Sequence, residues 1–206
     1  MKTLILVDLQ NDFIPEGALP VPQGHKMVPL ANRLQPHFNL IVATQDWHPP
    51  NHESFASEHP GKQPGDVIDL HGLKQVLWPD HCVQHTYGAK FVAELDASRI
   101  ARVFQKGTNS TIDSYSGFFD NGHRQSTRLS DFLDEATAAE VYILGLATDY
   151  CVKFTALDGC ELGFQMYLIE DACRGVELQP GDCHRAIDEM QSSGVTIVKS
   201  QDILND

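Results

Sequence analysis

Val141-Tyr142-Ile143-Leu144-Gly145-Leu146-Ala147-Thr148-Asp149-Tyr150-Cys151 passes from an apolar run into a polar turn. An apolar run that does not alternate suits a parallel strand covered on both faces. Directly after it, residues 149–162 place Val152, Ala156 and Leu157 on one side of a helix, and Gly163 is a good helix stop. The same unit recurs outward in both directions. Further strand-like runs occupy residues 4–7, 40–44, 100–104, 165–169 and 195–198. Helical spacing marks residues 126–140, with Leu129, Phe132, Leu133 and Ala136, and residues 180–193, with Ala186, Ile187 and Met190. Strand–helix alternation predicts an α/β fold, a doubly wound and mostly parallel six-stranded sheet with helices on both faces.

Nothing in the size or composition asks for more than one domain. The 206 residues suffice for one sizeable core, 42% are hydrophobic, and no linker or repeat interrupts them, so residues 1–206 are expected to form one domain. The formal charge of −13 argues against nucleic acid or an anionic membrane as partner, because both attract basic surfaces. No apolar run reaches the ~18 residues of a membrane span. The start, Met1-Lys2-Thr3-Leu4-Ile5-Leu6-Val7-Asp8, is too short in apolar residues for a signal peptide and reads as a strand. Five cysteines (Cys82, Cys151, Cys160, Cys173 and Cys183) form no CxxC pair, so reduced thiols and a cytoplasmic setting are expected.

Two long segments, residues 45–90 and 107–124, lack periodicity and are rich in Pro, Gly, His and Asn. Loops of this length in a compact domain are functional or disordered. Six of the ten histidines (His48, His52, His59, His71, His81 and His85) fall in the first of them, which favours function.

In open parallel sheets ligands bind beyond the carboxyl ends of the strands, so the residues that follow each strand test the reading. Asp8 follows the first strand, Asp46 the second and Lys106 the third; the fourth leads through the turn to Cys151. Asp46-Trp47-His48-Pro49-Pro50-Asn51-His52, with His81 further on, offers donors suited to Zn, Fe or Mn; the competing reading is a solvated polar loop. A zinc-protease motif starting at His52 would need a second histidine at position 56, which is Ala56. Cys151 is the candidate nucleophile. If Thr148 caps the helix, Cys151 lies in its first turn, where dipole and a lysine would lower the thiol pKa; a core cysteine is the alternative. Asp8 would take the thiol proton. No phosphate-binding glycine loop and no Gly-x-Ser-x-Gly elbow is present, which removes dinucleotide, ATP and serine-hydrolase readings.

These residues resemble the bacterial nicotinamidases of the isochorismatase-like hydrolases, from Leu4 to about Val198. The most specific stretches are residues 7–13, 45–52, 78–83, 106–107, 113–121 and 145–152. The resemblance implies a catalytic triad of Asp8, Lys106 and Cys151 and metal ligands Asp46, His48, His52 and His81, leaving His59, His71 and His85 as bystanders. It implies aromatic walls from Phe13, Trp78 and Tyr115, an oxyanion hole from the N–H groups of Ala147 and Cys151, and a cis peptide at Leu146–Ala147. The implied activity is hydrolysis of nicotinamide to nicotinate and ammonia through a cysteine thioester, for NAD salvage, with pyrazinamide as an analogue. One divalent ion, zinc first, would anchor the ring nitrogen, the partner being a small-molecule substrate and the assembly a homodimer. The rival readings are a cysteine amidase acting on a carbamoyl or ureido substrate, a hydrolase that activates water on its metal, and a non-catalytic metal-binding module.

Overall fold

Six strands form one parallel sheet in the computed structural model, which describes residues 1–205; Asp206, the end of the expected domain, lies outside the described residues. The strands are β1 (Lys2–Val7), β2 (Leu40–Asp46), β5 (Arg102–Lys106), β6 (Glu140–Leu146), β7 (Gln165–Arg174) and β8 (Thr196–Val198), in the order β5-β2-β1-β6-β7-β8. Every neighbouring pair is parallel. All six match runs expected from the sequence. Leu4, Ile5, Leu6 and Val7 are wholly buried at the sheet centre, which is why β1 shows no alternation. Burial of each such aliphatic side chain stabilises the fold by roughly 1.5–3 kcal/mol.

The chain runs outward from β1 to β2 and β5, then returns to build β6 and β7 on the other side of β1. The direction of winding therefore reverses between β1 and β6, and a crevice opens at their carboxyl ends. Gly145 lets the two strands approach there. Its φ is +130°, and a Cβ would sit 2.2 Å from the carbonyl oxygen of Val7. Around the sheet lie α1 (Met27–Leu34), α2 (Leu129–Glu135), α3 (Lys153–Glu161), α4 (Asp182–Ser192) and α5 (Ser200–Leu204). Among the described residues no helix is long and apolar enough to cross a membrane.

Several boundaries differ from the sequence expectation. The helix expected over residues 126–140 is only α2, because Arg128 before it and Thr137 after it adopt left-handed backbone at φ 72° and 54°. The first long loop contains a hairpin, β3 (Val67–Leu70) and β4 (Leu73–Val76). Its two-residue turn, His71-Gly72, has positive φ at both positions, the backbone that hairpin twist demands. Thr148 does not cap a helix. Ala147 is the last extended residue, and a wide π-helical turn (Thr148–Val152) carries Cys151 before α3 begins.

Candidate active site

Each strand that surrounds the crevice delivers one polar side chain. Asp8 leaves β1 with left-handed backbone (φ 48°), a conformation aspartate tolerates better than most residues. Asp46 and Lys106 close β2 and β5, where they are paired in register, and Cys151 sits on the turn after β6. Lys106 gathers the others. Its Nζ lies 2.9 Å from Asp8 Oδ2, 3.3 Å from Cys151 Sγ and 3.0 Å from the Ser114 carbonyl, and it donates a short hydrogen bond to Asp46 Oδ1. The side chains of Lys106 and Asp8 are fully buried.

Electrostatics at this cluster differ from what the sequence suggested. Burial pushes the Cys151 thiol well above its ordinary range; Lys106 pulls it down, while Asp8 and Asp46 push it up again. Burial thus opposes the lowering expected from Lys106 and the helix dipole, because a sequence pattern does not report desolvation. Burial also raises Asp8, against the opposing pull of Lys106 and of a 2.6 Å hydrogen bond from Thr44 Oγ1. Asp46 goes the other way, since Lys106 and His48 outweigh the upward push of burial. Asp8 Oδ2 faces the Lys106 ammonium at 2.9 Å, and the Asp8 carboxylate, that of Asp46 and Cys151 Sγ lie within 4.8 Å of one another. Asp8 is thus placed to exchange a proton with the thiol.

Beside this cluster, Asp46, His48 and His81 present donor atoms all within 4.8 Å of one another. Asp46 Oδ2 is 3.7 Å from Nε2 of both histidines. His48 Nδ1 lies 3.0 Å from the Gly107 carbonyl and His81 Nδ1 lies 2.8 Å from the Pro79 carbonyl. A carbonyl can only accept, so each Nδ1 carries a proton, and in the neutral ring Nε2 is left with its lone pair for a metal. One carboxylate and two such imidazoles fit a divalent ion. His52 is arranged differently. Its ring packs on His48 with centroids 4.4 Å apart, but its donor atoms group with His48 and Asp113. The Ser54 N–H, 3.1 Å from His52 Nδ1, can only donate, which puts the neutral ring's proton on Nε2. The four expected ligands are therefore brought close, three as one set and His52 behind it. Among the bystanders, His59 and His71 bind Glu53, and His85 stands edge-on to Trp47.

The crevice continues into a small pocket lined by Phe13, Leu19, Trp78, Tyr115, Tyr150 and Val176, with Asp46, His81, Asp113, Ala147 and Cys151 supplying its polar or reactive part. Trp78 Nε1 donates to the Tyr115 hydroxyl at 3.1 Å, and Tyr150 stands edge-on to both rings. Phe13, Trp78, Tyr115, Ala147 and Cys151 all reach this one pocket, and the Leu146–Ala147 peptide is cis. Sequence reasoning missed Thr44, Gln10, Asp113, Tyr150, Leu19 and Val176. Gln10 grips the Asp46 main chain from both sides, receiving its N–H and donating to its carbonyl, each at 2.8 Å. Asp113 and Tyr150 fall inside the stretches of strongest family resemblance, which was the only signal available for them.

An isochorismatase domain model matches residues 2–202. The chain is 51% identical to the nicotinamidase of Escherichia coli (strain K12), over 95% of this chain and 93% of that protein. A nicotinamidase/pyrazinamidase structure from Acinetobacter baumanii superposes with a TM-score of 0.95 at 44% identity, covering 98% of this chain and 97% of that one. A pyrazinamidase from Pyrococcus horikoshii in complex with zinc superposes with a TM-score of 0.78 at 41% identity, covering 96% and 98%.

Proposed function

The chain belongs to the isochorismatase family, and from that premise we propose that it hydrolyses nicotinamide to nicotinate and ammonia through a thioester on Cys151. The observation that carries this reading is the contact of one buried ammonium, Lys106, with Asp8 and Cys151 at the base of an aromatic-walled pocket. The amide acted on is that of the similar enzymes, and pyrazinamide, a ring of the same size and shape, is a second substrate. Residues 1–206 act as one hydrolase domain on a small-molecule substrate, a reading supported by the family match over residues 2–202.

The aromatic ring of the substrate lies among Phe13, Trp78 and Tyr115, which sets its carboxamide carbon against Cys151 Sγ. Holding two reactants in this way can lower a barrier by several kcal/mol. Asp8 takes the proton from Sγ as sulfur attacks the carbonyl carbon. The N–H groups of Ala147 and Cys151 receive the oxyanion, at roughly 3 kcal/mol per donor. Asp8 returns its proton to the nitrogen as the C–N bond breaks, and ammonia leaves. A water that gives its proton to Asp8 then cleaves the thioester, releasing nicotinate, and the proton goes back to Cys151 Sγ. Lys106 stabilises the anionic forms of Asp8 and Cys151 through each step. Asp46, His48 and His81 would hold a divalent ion, zinc by similarity, which supplies a Lewis-acid contact for the ring nitrogen. His52 supports His48 from behind.

Ammonia release from nicotinamide by purified wild type and Cys151→Ala tests this directly, with calorimetry following binding. Wild type should turn over and the variant should bind nicotinamide without turnover. Ammonia production by Cys151→Ala at a rate near wild type would overturn the thioester route, and an inactive wild type under every metal loading would overturn the substrate.

A further inference from the structure

Asp149 lies two residues before Cys151, is buried, and has no part in the reaction described above. Its carboxylate reaches across to the loop that follows β7. Oδ1 receives the Val176 N–H at 2.9 Å and Oδ2 receives the Glu177 N–H at 2.8 Å. Glu177 has left-handed backbone at φ 55°, which turns these consecutive N–H groups toward a single anion. The approach is close. A Cβ on Gly175 would stand 2.8 Å from Asp149 Oδ1 and 2.0 Å from Cys183 Sγ. The far side of the loop is tied to the start of α4, where the Cys183 N–H donates to Glu177 Oε1 at 3.0 Å. Val176, whose own N–H makes the first of these ties, lines the substrate pocket beside Ala147, Tyr150 and Cys151.

From this geometry we infer that Asp149 is a positioning residue that holds Val176 as the wall limiting which ring substituents the pocket admits. The inference rests on the proposed amide hydrolysis and adds its specificity determinant. A carboxylate can satisfy both N–H groups at once. The asparagine amide has one oxygen and would turn an N–H donor toward another donor, so the loop loses one tie. Lys106, through its contacts with Asp8, Asp46, Cys151 and the Ser114 carbonyl, holds the reacting groups independently of the Asp149 carboxylate. Selectivity and KM should therefore change more than kcat.

The test compares wild type, Asp149→Asn, Val176→Ala and the double variant on nicotinamide and on nicotinamides methylated at successive ring positions. For Asp149→Asn, KM for nicotinamide should rise about tenfold with kcat changed only a few-fold. Asp149→Asn and Val176→Ala should each improve relative kcat/KM about tenfold for the same methylated amide, the scale of one methyl group in an apolar pocket. The double variant should gain no more than either single one, because both act through one wall. If Asp149→Asn does not fold, Asp149→Ser removes the same carboxylate with less bulk. An unchanged ranking of the methylated amides, a uniform fall in kcat, or additive effects in the double variant would overturn the inference. Wild type inactive on every one of these amides would instead remove the functional reading beneath it.

Discussion

Replacing Lys106 by methionine keeps the length of the side chain and removes the one cation shared by two buried carboxylates. In the wild type, Lys106 is fully buried against Asp8, Asp46 and Cys151. Removing one partner of a buried ion pair costs about 3–5 kcal/mol, because the other charge is left without compensation. For a chain of this size each kcal/mol lowers Tm by roughly 2–4 °C, so a fall of about 6–20 °C is expected at neutral pH. The penalty depends on pH with a definite sign. Asp8 has a raised pKa in the folded state through burial, and Lys106 restrains it. Its ionisation therefore opposes folding as pH rises through that value, and more strongly once Lys106 is gone. Asp46 is depressed in the wild type because Lys106 and His48 outweigh its burial. Its contribution is present above the unfolded carboxylate range and is lost as pH falls through its folded pKa. Between about pH 8 and about pH 5 Asp46 of the wild type stays ionised and keeps its contribution, whereas the variant, with no cation beside either carboxylate, is relieved as both take up protons, and the stability gap closes. Urea midpoints of metal-free wild type and Lys106→Met from about pH 8 to about pH 5 measure it. Equal stability at the alkaline end, or a gap that widens on acidification, would refute the reasoning.

Gly107→Ala should loosen the metal site, because φ is +64° and the new Cβ would stand 2.3 Å from His48 Cε1. A loss of about 10- to 100-fold in zinc affinity is expected by competition with a chromogenic chelator, and unchanged affinity would show that His48 is not held from this side. Thr44→Val removes the 2.6 Å hydrogen bond to Asp8 Oδ1, a contact that lowers the Asp8 pKa. The acid limb of kcat/KM should therefore move to higher pH, and a limb that stays in place would separate Asp8 from the observed titration.

The sheet was legible because its centre is buried on both faces: Leu4 to Val7 and Val141 to Leu146 could hardly be anything but parallel strands. The residues that end those strands were legible for the same reason, since sheet topology fixes where they converge. Elements whose form depends on a single backbone angle were not. Arg128 shortens α2, and the His71-Gly72 turn makes a hairpin inside a segment that reads as loop. The state of Cys151 was misread because neighbours and a dipole are visible in a sequence while burial is not. Thr44, Gln10 and Asp149 act through hydrogen bonds to partners 27 to 79 positions away along the chain, and no local pattern announces such partners.

Asp8, Lys106 and Cys151 stand on or directly after strands of the sheet, whereas His48, His52, His81 and Trp78 all hang from the one long connection between β2 and β5. The two halves of the site can consequently change at different tempos. Insertions or exchanges within that connection would alter what is anchored in the pocket without disturbing the groups that make and break bonds. A lineage built on this scaffold can in that way move between substrates while its chemistry stays constant.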